Sequence, residues 1–322
     1  MPDPNVLVSG ETLIDFLPER PGPLSDVPSF ARRPGGAPAN VAVALARLEE
    51  TPWFWTRLAE DPFGDFLAET LDERGVPDRF VERDPAAQTT LAFVTHDETG
   101  DREFSFYRDD TADTRLEPGG VPDEALDAVE WVYVGGVMLA TEPARAATVD
   151  LAERARARDC EVVFDPNARP ELWPTGGFED AVAELLDVAT VVKATPDDLR
   201  MAGFEAEEPE RLAAAVADRG PHTVLLTLGG TGAFSHAEAE APWGAESASH
   251  RGYDVTVRDT TGAGDAFTAG AVAAFAAEDD RSDVSLSDVL AFANAVAART
   301  TTEDGAMAAL PDHAAAARLR DS

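Results

Sequence analysis

The sequence predicts an α/β protein with a mostly parallel central sheet covered by helices on both faces, plus a small β-structure set apart from it. Three observations carry this. Short apolar runs alternate with stretches of helical periodicity along most of the chain. One pair of strand-like runs breaks the alternation and is joined by turn residues. Polar or glycine-rich segments follow several of the strands, where open α/β sheets hold their ligands.

Residues 5–9 read as a strand, and 39–48 carry apolar residues at helical spacing. A strand at 53–58 and a helix at 63–73 follow. The alternation resumes with a strand at 131–134, a helix at 142–158, a strand at 160–164 and a helix at 179–186. It continues with a strand at 190–192, a helix at 209–218 opening on proline, and a strand at 223–227. The last third is helical, at 263–277, 286–299 and near 314. The exception is 89–95 and 102–107, two strand-like runs around the turn residues 97–101. With the proline- and glycine-rich segment 18–34 they can form a small β-flap.

The chain has 322 residues, 44% hydrophobic, enough for a full core. No apolar run approaches the ~20 residues of a membrane span. The N-terminus lacks a basic segment followed by an apolar stretch, so the expected location is cytoplasmic. Cys160 lies in an apolar run and reads as a buried thiol. Against 61 acidic residues stand 26 basic ones, a net charge of -35, which disfavours a nucleic-acid partner. Lys193 is the single lysine. This balance is the pattern of a halophile protein adapted to molar salt.

Several motifs are absent. The only lysine follows Val192, so there is no Walker A loop; no GxGxxG follows the first strand, and there is no GxSxG. The five histidines show no metal-ligand spacing. What remains is DTTGAGDAFTAG at 259–270. Two glycines open a helix there, and unobstructed backbone N–H groups with the helix dipole form an anion site. The amides of Gly262, Ala263 and Gly264 can hold the charge on a transferring phosphoryl group while Asp265 accepts a proton from a hydroxyl. An aspartate in a first helical turn also serves as a simple cap. A second glycine pair, Gly35 and Gly36, precedes another helix start with Asn40. It is either a loop and helix start or a close approach to ligand. Segments 165–170, 193–198 and 229–232 each follow a strand, so the loops converge on one edge of the sheet.

GGAPANVAVALARL at 35–48 together with DTTGAGDAFTAG at 259–270 resembles the two signatures of the PfkB, or ribokinase-like, carbohydrate kinases. The likeness runs from GETLIDFLP at 10–18 to Phe292, Ala293 and Asn294 and on to Gly305 and Ala306. It implies a three-layer sandwich forming one domain over residues 1–322, with a β-lid at about 12–34 and 88–110. It also implies phosphorylation of a sugar by Mg-ATP. Asp265 resembles the family's base, and Gly262, Ala263 and Gly264 its anion hole. Asp15, Gly35, Gly36 and Asn40 resemble sugar-binding positions, and Tyr107 or Arg108 is expected to reach the sugar from the lid. Asn167 and Arg169 resemble further active-site wall. Thr227, Gly229, Gly232 and Asn294 resemble nucleotide-binding positions, and Lys193 stands where the family has a residue near the phosphates. The family's Asn-x-x-Glu for magnesium is replaced by Thr195 and Asp198, a carboxylate on a shorter arm. Parts of the family bind a monovalent cation such as K+ near the positions of Asp259 and Thr261, and a homodimer can form through the lid. GETLIDFLP, the proline in GGAPAN and DPNARPELW at 165–173 are most similar to the fructokinase branch. The branch acting on 2-keto-3-deoxygluconate shares DxNxR and an arginine like Arg108, which can pair with a sugar-acid carboxylate.

The charge argument has a direct test. Screening reaches about 10 Å at 0.1 M salt and about 3 Å at 1 M, so circular dichroism should show loss of structure as KCl falls from molar to about 0.1 M. An unchanged spectrum removes the salt adaptation.

Overall fold

The computed structural model describes residues 4–20, 22–96, 102–278 and 280–322. Nine strands form the large sheet. They are β1 (Val6–Ser9), β4 (Trp53–Ala59), β5 (Val81–Asp84), β8 (Trp131–Gly135), β9 (Glu161–Asp165), β10 (Val191–Ala194), β11 (Thr223–Thr227), β12 (Ala233–Ala237) and β13 (Glu246–His250). Their spatial order is β13-β12-β11-β10-β9-β8-β1-β4-β5. Pairing is parallel from β11 to β5, and antiparallel where β12 and β13 extend the edge. Four further strands form a separate sheet: β2 (Leu13–Pro18), β3 (Phe30–Gly35), β6 (Leu91–His96) and β7 (Arg102–Tyr107), in the order β3-β2-β6-β7.

Ten α-helices occur among the described residues: α1 (Ala37–Arg47), α2 (Pro62–Glu73), α3 (Asp123–Leu126), α4 (Ala144–Arg156), α5 (Phe178–Leu186), α6 (Pro196–Met201), α7 (Pro209–Ala217), α8 (Ala263–Ala276), α9 (Leu286–Thr300) and α10 (His313–Arg320). None is long and apolar enough to cross a membrane.

Side-chain alternation along each strand sets the layers. Val6, Val8, Trp131, Tyr133, Val163 and Val191 face the cluster built with α1, α8 and α9. Leu7, Val132, Val134, Val162, Phe164 and Val192 face the opposite cluster, built with α4, α5 and α7. Strands buried on both faces read as continuous apolar runs, which is why the sequence reveals them. Cys160 is buried in the second cluster, with Sγ 3.3 Å from the Val129 carbonyl.

The structure differs from the expectation at β10, at β3, and at β12 and β13. The strand at 190–192 extends to Ala194, so Lys193 lies within β10 rather than in the loop after it. Residues 18–34, read as irregular, contain most of β3, which pairs antiparallel with β2. Strands β12 and β13, FSHA-like and polar, carry no apolar run and were not foreseen. The turn residues 97–101 lie outside the described residues.

The two sheets are joined at a buried polar knot. Arg108, just after β7, donates from Nε to Asp113 Oδ2 at 2.8 Å, and from Nη1 to the Val137 carbonyl (3.3 Å) and Thr141 Oγ1 (3.2 Å). Asp113 Oδ1 also accepts from Thr111 Oγ1 at 2.9 Å and from Thr90. Both members are buried. Arg108→Met leaves Asp113 charged and unpaired, which should reduce stability by about 3–5 kcal/mol. Urea unfolding measures this, and an unchanged midpoint removes the knot's structural role.

Candidate active site

Helix α8 begins in the glycine-rich turn. Gly262 takes φ 74°, a left-handed conformation, and a Cβ there would stand 2.5 Å from the Ala306 Cβ. Asp259 shapes the turn from below. Its Oδ1 accepts from the Thr261 amide (2.9 Å) and hydroxyl (2.6 Å), and its Oδ2 from the Gly305 amide (2.9 Å). Ala263, Gly264 and Asp265 then occupy the first helical turn, where backbone N–H groups lack intrahelical partners and the dipole is positive. The Ala263 amide is turned back onto the Thr260 carbonyl at 3.2 Å.

Asp265 is held from across the cavity. Asn40, in the first turns of α1, donates from Nδ2 to Asp265 Oδ2 at 2.7 Å. Burial raises the Asp265 carboxyl above the ordinary aspartate range; the Asn40 hydrogen bond and the charges of Lys193 and Arg169 oppose the rise. A carboxylate lifted toward neutrality is a better proton acceptor.

Under the turn lies a buried ion pair. Lys193 Nζ is 2.8 Å from Asp165 Oδ2, and both side chains are almost fully buried. A Cβ on Gly264 would stand 3.1 Å from the same Nζ, so the ammonium lies against the first turn of α8. Burial disfavours a charged lysine, but Asp165, Asp198 and Asp265 outweigh it and hold Lys193 protonated. Asp165 Oδ1 accepts the amide of Asn167, which bends the chain through a left-handed φ of 42° that asparagine tolerates.

One cavity joins these parts. Asp15, Gly36, Asn40, Asn167, Arg169, Gly262 and Asp265, all anticipated from sequence, line it together. Gly35 lies beside Asp15, where any Cβ would overlap the Asp15 carboxylate. Phe104 and Phe106 from β7 close the cavity, their rings stacked 5.6 Å apart and Arg169 5.2 Å from the Phe104 centroid. These phenylalanines were missed, although period-two spacing in REFSFY held the signal. Glu11 and Leu13 were also missed. Both sit in the GETLIDFLP segment from which only Asp15 was drawn.

Two expected substrate residues lie elsewhere. Tyr107 follows Phe106 by one position, so the pleat turns it to the opposite face of the small sheet, against Phe93 at 5.5 Å and 62% exposed. Arg108 does not line the cavity, its guanidinium being tied to Asp113, Val137 and Thr141.

Thr227 ends β11, and Gly229–Thr231 form a short turn whose Gly229 and Gly230 border open space. A Cβ on Gly252 would be 3.5 Å from Gly232 Cα and 3.9 Å from Asn294 Oδ1, so Gly232 and Asn294 come together there. Asn294 Nδ2 donates back to Leu290 at 2.8 Å. Asp198 is bound into a capping box: Oδ2 accepts the Thr195 amide (2.8 Å) and hydroxyl (2.7 Å), and Oδ1 accepts the Ala168 amide (2.8 Å). Among the described residues no group of three His, Cys, Asp or Glu could hold a metal alone.

A buried carboxylate at a helix N-terminus, inside a cavity at the end of a mostly parallel sheet, is an arrangement suited to moving a phosphoryl group onto a hydroxyl. The family model described as pfkB family carbohydrate kinase matches residues 3–313. Fructokinase-1 of Oryza sativa subsp. japonica is 36% identical, over 98% of each chain. The solved structure of fructokinase with bound ATP from Xylella fastidiosa is 31% identical, covers 98% of each chain and gives a TM-score of 0.86. A double mutant of the Vibrio cholerae O395 fructokinase, in fructose-, ADP- and potassium-bound form, is 30% identical over 99% of each chain with a TM-score of 0.84. The chain belongs to the pfkB family of carbohydrate kinases, and it is a sugar kinase of the fructokinase type.

Asp265→Asn keeps the contact to Asn40 in size but removes the proton acceptor. It should lower kcat by about 10²–10⁴ while nucleotide binding is retained. In the unaltered enzyme kcat should fall as pH drops through the raised Asp265 value, placing the acid limb above the ordinary aspartate range. A near-normal rate for the variant removes Asp265 from its role.

Proposed function

We propose that the protein transfers the γ-phosphoryl group of ATP to a hydroxyl of fructose, with Asp265 as base. The observation that carries this is the Asn40–Asp265 hydrogen bond at the N-terminus of α8, inside a cavity also lined by Asp15. A sugar hydroxyl beside Asp265 loses its proton to the carboxylate as its oxygen attacks the γ-phosphorus, and the bond from that phosphorus to the bridging oxygen breaks to release ADP. The amides of Gly262 and Gly264, and Lys193 beneath them, balance the charge on the transferring group, whereas the Ala263 amide, expected with them, is engaged by the Thr260 carbonyl. Thr227, Gly229, Gly232 and Asn294 form the nucleotide side, with Gly229 and Gly230 leaving room for close approach.

The donor set fits magnesium that arrives with nucleotide phosphates and keeps its waters, because Asp198 already has both oxygens engaged by protein donors and would meet it through water. Bound magnesium supplies neutralisation of the β- and γ-phosphate charge. A potassium ion beside Asp259 and Thr261 agrees with the potassium-bound relative. The small sheet acts as a lid over the sugar, and its outer aromatic face, with Phe16, Phe93 and Tyr107, serves a homodimer. The setting is cytoplasmic.

A neutral ketose suits the cavity better than a sugar acid. Glu11, Asp15 and Asp265 bring three carboxyl groups against Arg169, and Arg108 is tied to Asp113. A sugar carboxylate would meet repulsion. Fructose should therefore be turned over faster than 2-keto-3-deoxygluconate in a coupled ADP-release assay, with NMR of the product fixing which hydroxyl carries phosphate. The reverse order of rates overturns the fructose assignment.

A further inference from the structure

Glu11 sits in the link between β1 and β2, where the chain leaves the large sheet for the small one. It is 2% exposed, yet it lines the same cavity as Asp15, Asn40 and Asp265. Its two oxygens are treated differently by the protein. Oε1 accepts the amide of Ala37, the first residue of α1, at 3.2 Å. Oε2 is buried and meets no hydrogen-bond partner. Asn40 shows the same division: Nδ2 is held by Asp265, and Oδ1 is buried and unpartnered. A buried polar oxygen without a partner costs about 1–3 kcal/mol. Both residues line one cavity with Asp265, so a ligand entering that cavity is the available partner for these oxygens.

We propose that Glu11 is a sugar-binding and specificity-determining residue, its Oε2 accepting a hydrogen bond from a sugar hydroxyl that the protein itself leaves unanswered. Anchored by the α1 amide, the carboxylate cannot swing away, so the accepting oxygen stands at a fixed depth in the cavity. The inference rests on the reading of the cavity as a sugar site; it does not depend on the sugar being fructose. It also accounts for the poor fit of acidic sugars, since a second carboxylate would face Glu11.

The charge state of Glu11 follows from its surroundings. Burial pushes its carboxyl up to about 7; Arg108 and the amides of Glu11 and Ala37 lower it, and Asp113 raises it. Asp15 and Asp265 border the same cavity, Tyr133 lies within the field of Glu11, and Arg169 stands on the far wall. A hydroxyl donor favours the ionised carboxyl, so sugar affinity should improve as pH rises through about 7.

The test uses the full-length enzyme, first run on a panel of neutral ketoses, aldoses and 2-keto-3-deoxygluconate; the sugar turned over fastest is then the probe. Absence of fructose turnover defeats the fructokinase assignment and leaves the Glu11 test intact on that sugar. Glu11→Gln should raise the sugar KM about 10- to 100-fold, the loss of a hydrogen bond to a charged group. The ATP KM and the thermal midpoint should stay near those of the parent. Deoxy analogues locate the contact: one analogue should lose affinity with the parent enzyme but little more with Glu11→Gln. The KM for the sugar should lose its dependence on pH near 7 in the variant. An unchanged sugar KM, or equal penalties from every deoxy analogue in both proteins, overturns the proposal. Should Glu11→Gln fail to fold, the parent's sugar KM against pH decides: improvement with rising pH supports an accepting carboxylate, and a flat or reversed profile overturns it.

Discussion

The ammonium of Lys193 is the charge on which the site is built. Asp165, Asp198 and Asp265 approach it from β9, α6 and α8, and without a cation their mutual repulsion in a buried setting would drive protons onto them. In a chain with one lysine and a net charge of -35, that residue lies in β10, against Asp165 of β9 and the first turn of α8. A compact ammonium fits between Asp165 and the Gly264 backbone, where a planar guanidinium needs more width. Glycine at 264 and lysine at 193 are thus two halves of one steric arrangement.

The same economy governs the cavity walls. Helices α1 and α8 present their N-termini toward the same space, and the Asn40–Asp265 hydrogen bond couples them. Anything bound between the two helices is sensed by the base through a single amide. The Asp259 carboxylate does the corresponding task at the start of α8, joining the turn at Thr261 to the segment at Gly305. These contacts use short side chains with few rotatable bonds, so the geometry is set at small entropic cost.

Much of this was legible in the sequence, for physical reasons. Strands buried on both faces produce apolar runs, and glycine is required where backbone must turn left-handed or meet another chain closely; Gly262 and Gly35 show both. What escaped was decided by register and by tertiary partners. A one-residue step along β7 separates Phe106 from Tyr107 and sends them to opposite faces, which residue type alone does not reveal. Arg108 was expected at the sugar because of its place in the lid, but its partner Asp113 lies five residues further on in a buried knot. Glu11 was overlooked beside Asp15 because an acidic residue in a link reads as surface. Strand β13 is the sheet edge and needs no apolar run, and β12 beside it mixes Ser235 and His236 with Ala233, Phe234 and Ala237, so neither gives a continuous apolar signal.

The roof of the cavity consists of the stacked rings of Phe104 and Phe106. A phosphoryl donor facing Asp265 can be attacked by any hydroxyl, and water is the most abundant one. Phenyl rings offer water neither donor nor acceptor, so that boundary is a poor host for it. A sugar can cover the hydrocarbon with its own carbon skeleton while turning its hydroxyls to the polar walls. In the proposed sugar-kinase reading, two side chains that take no part in the chemistry would favour an alcohol over hydrolysis.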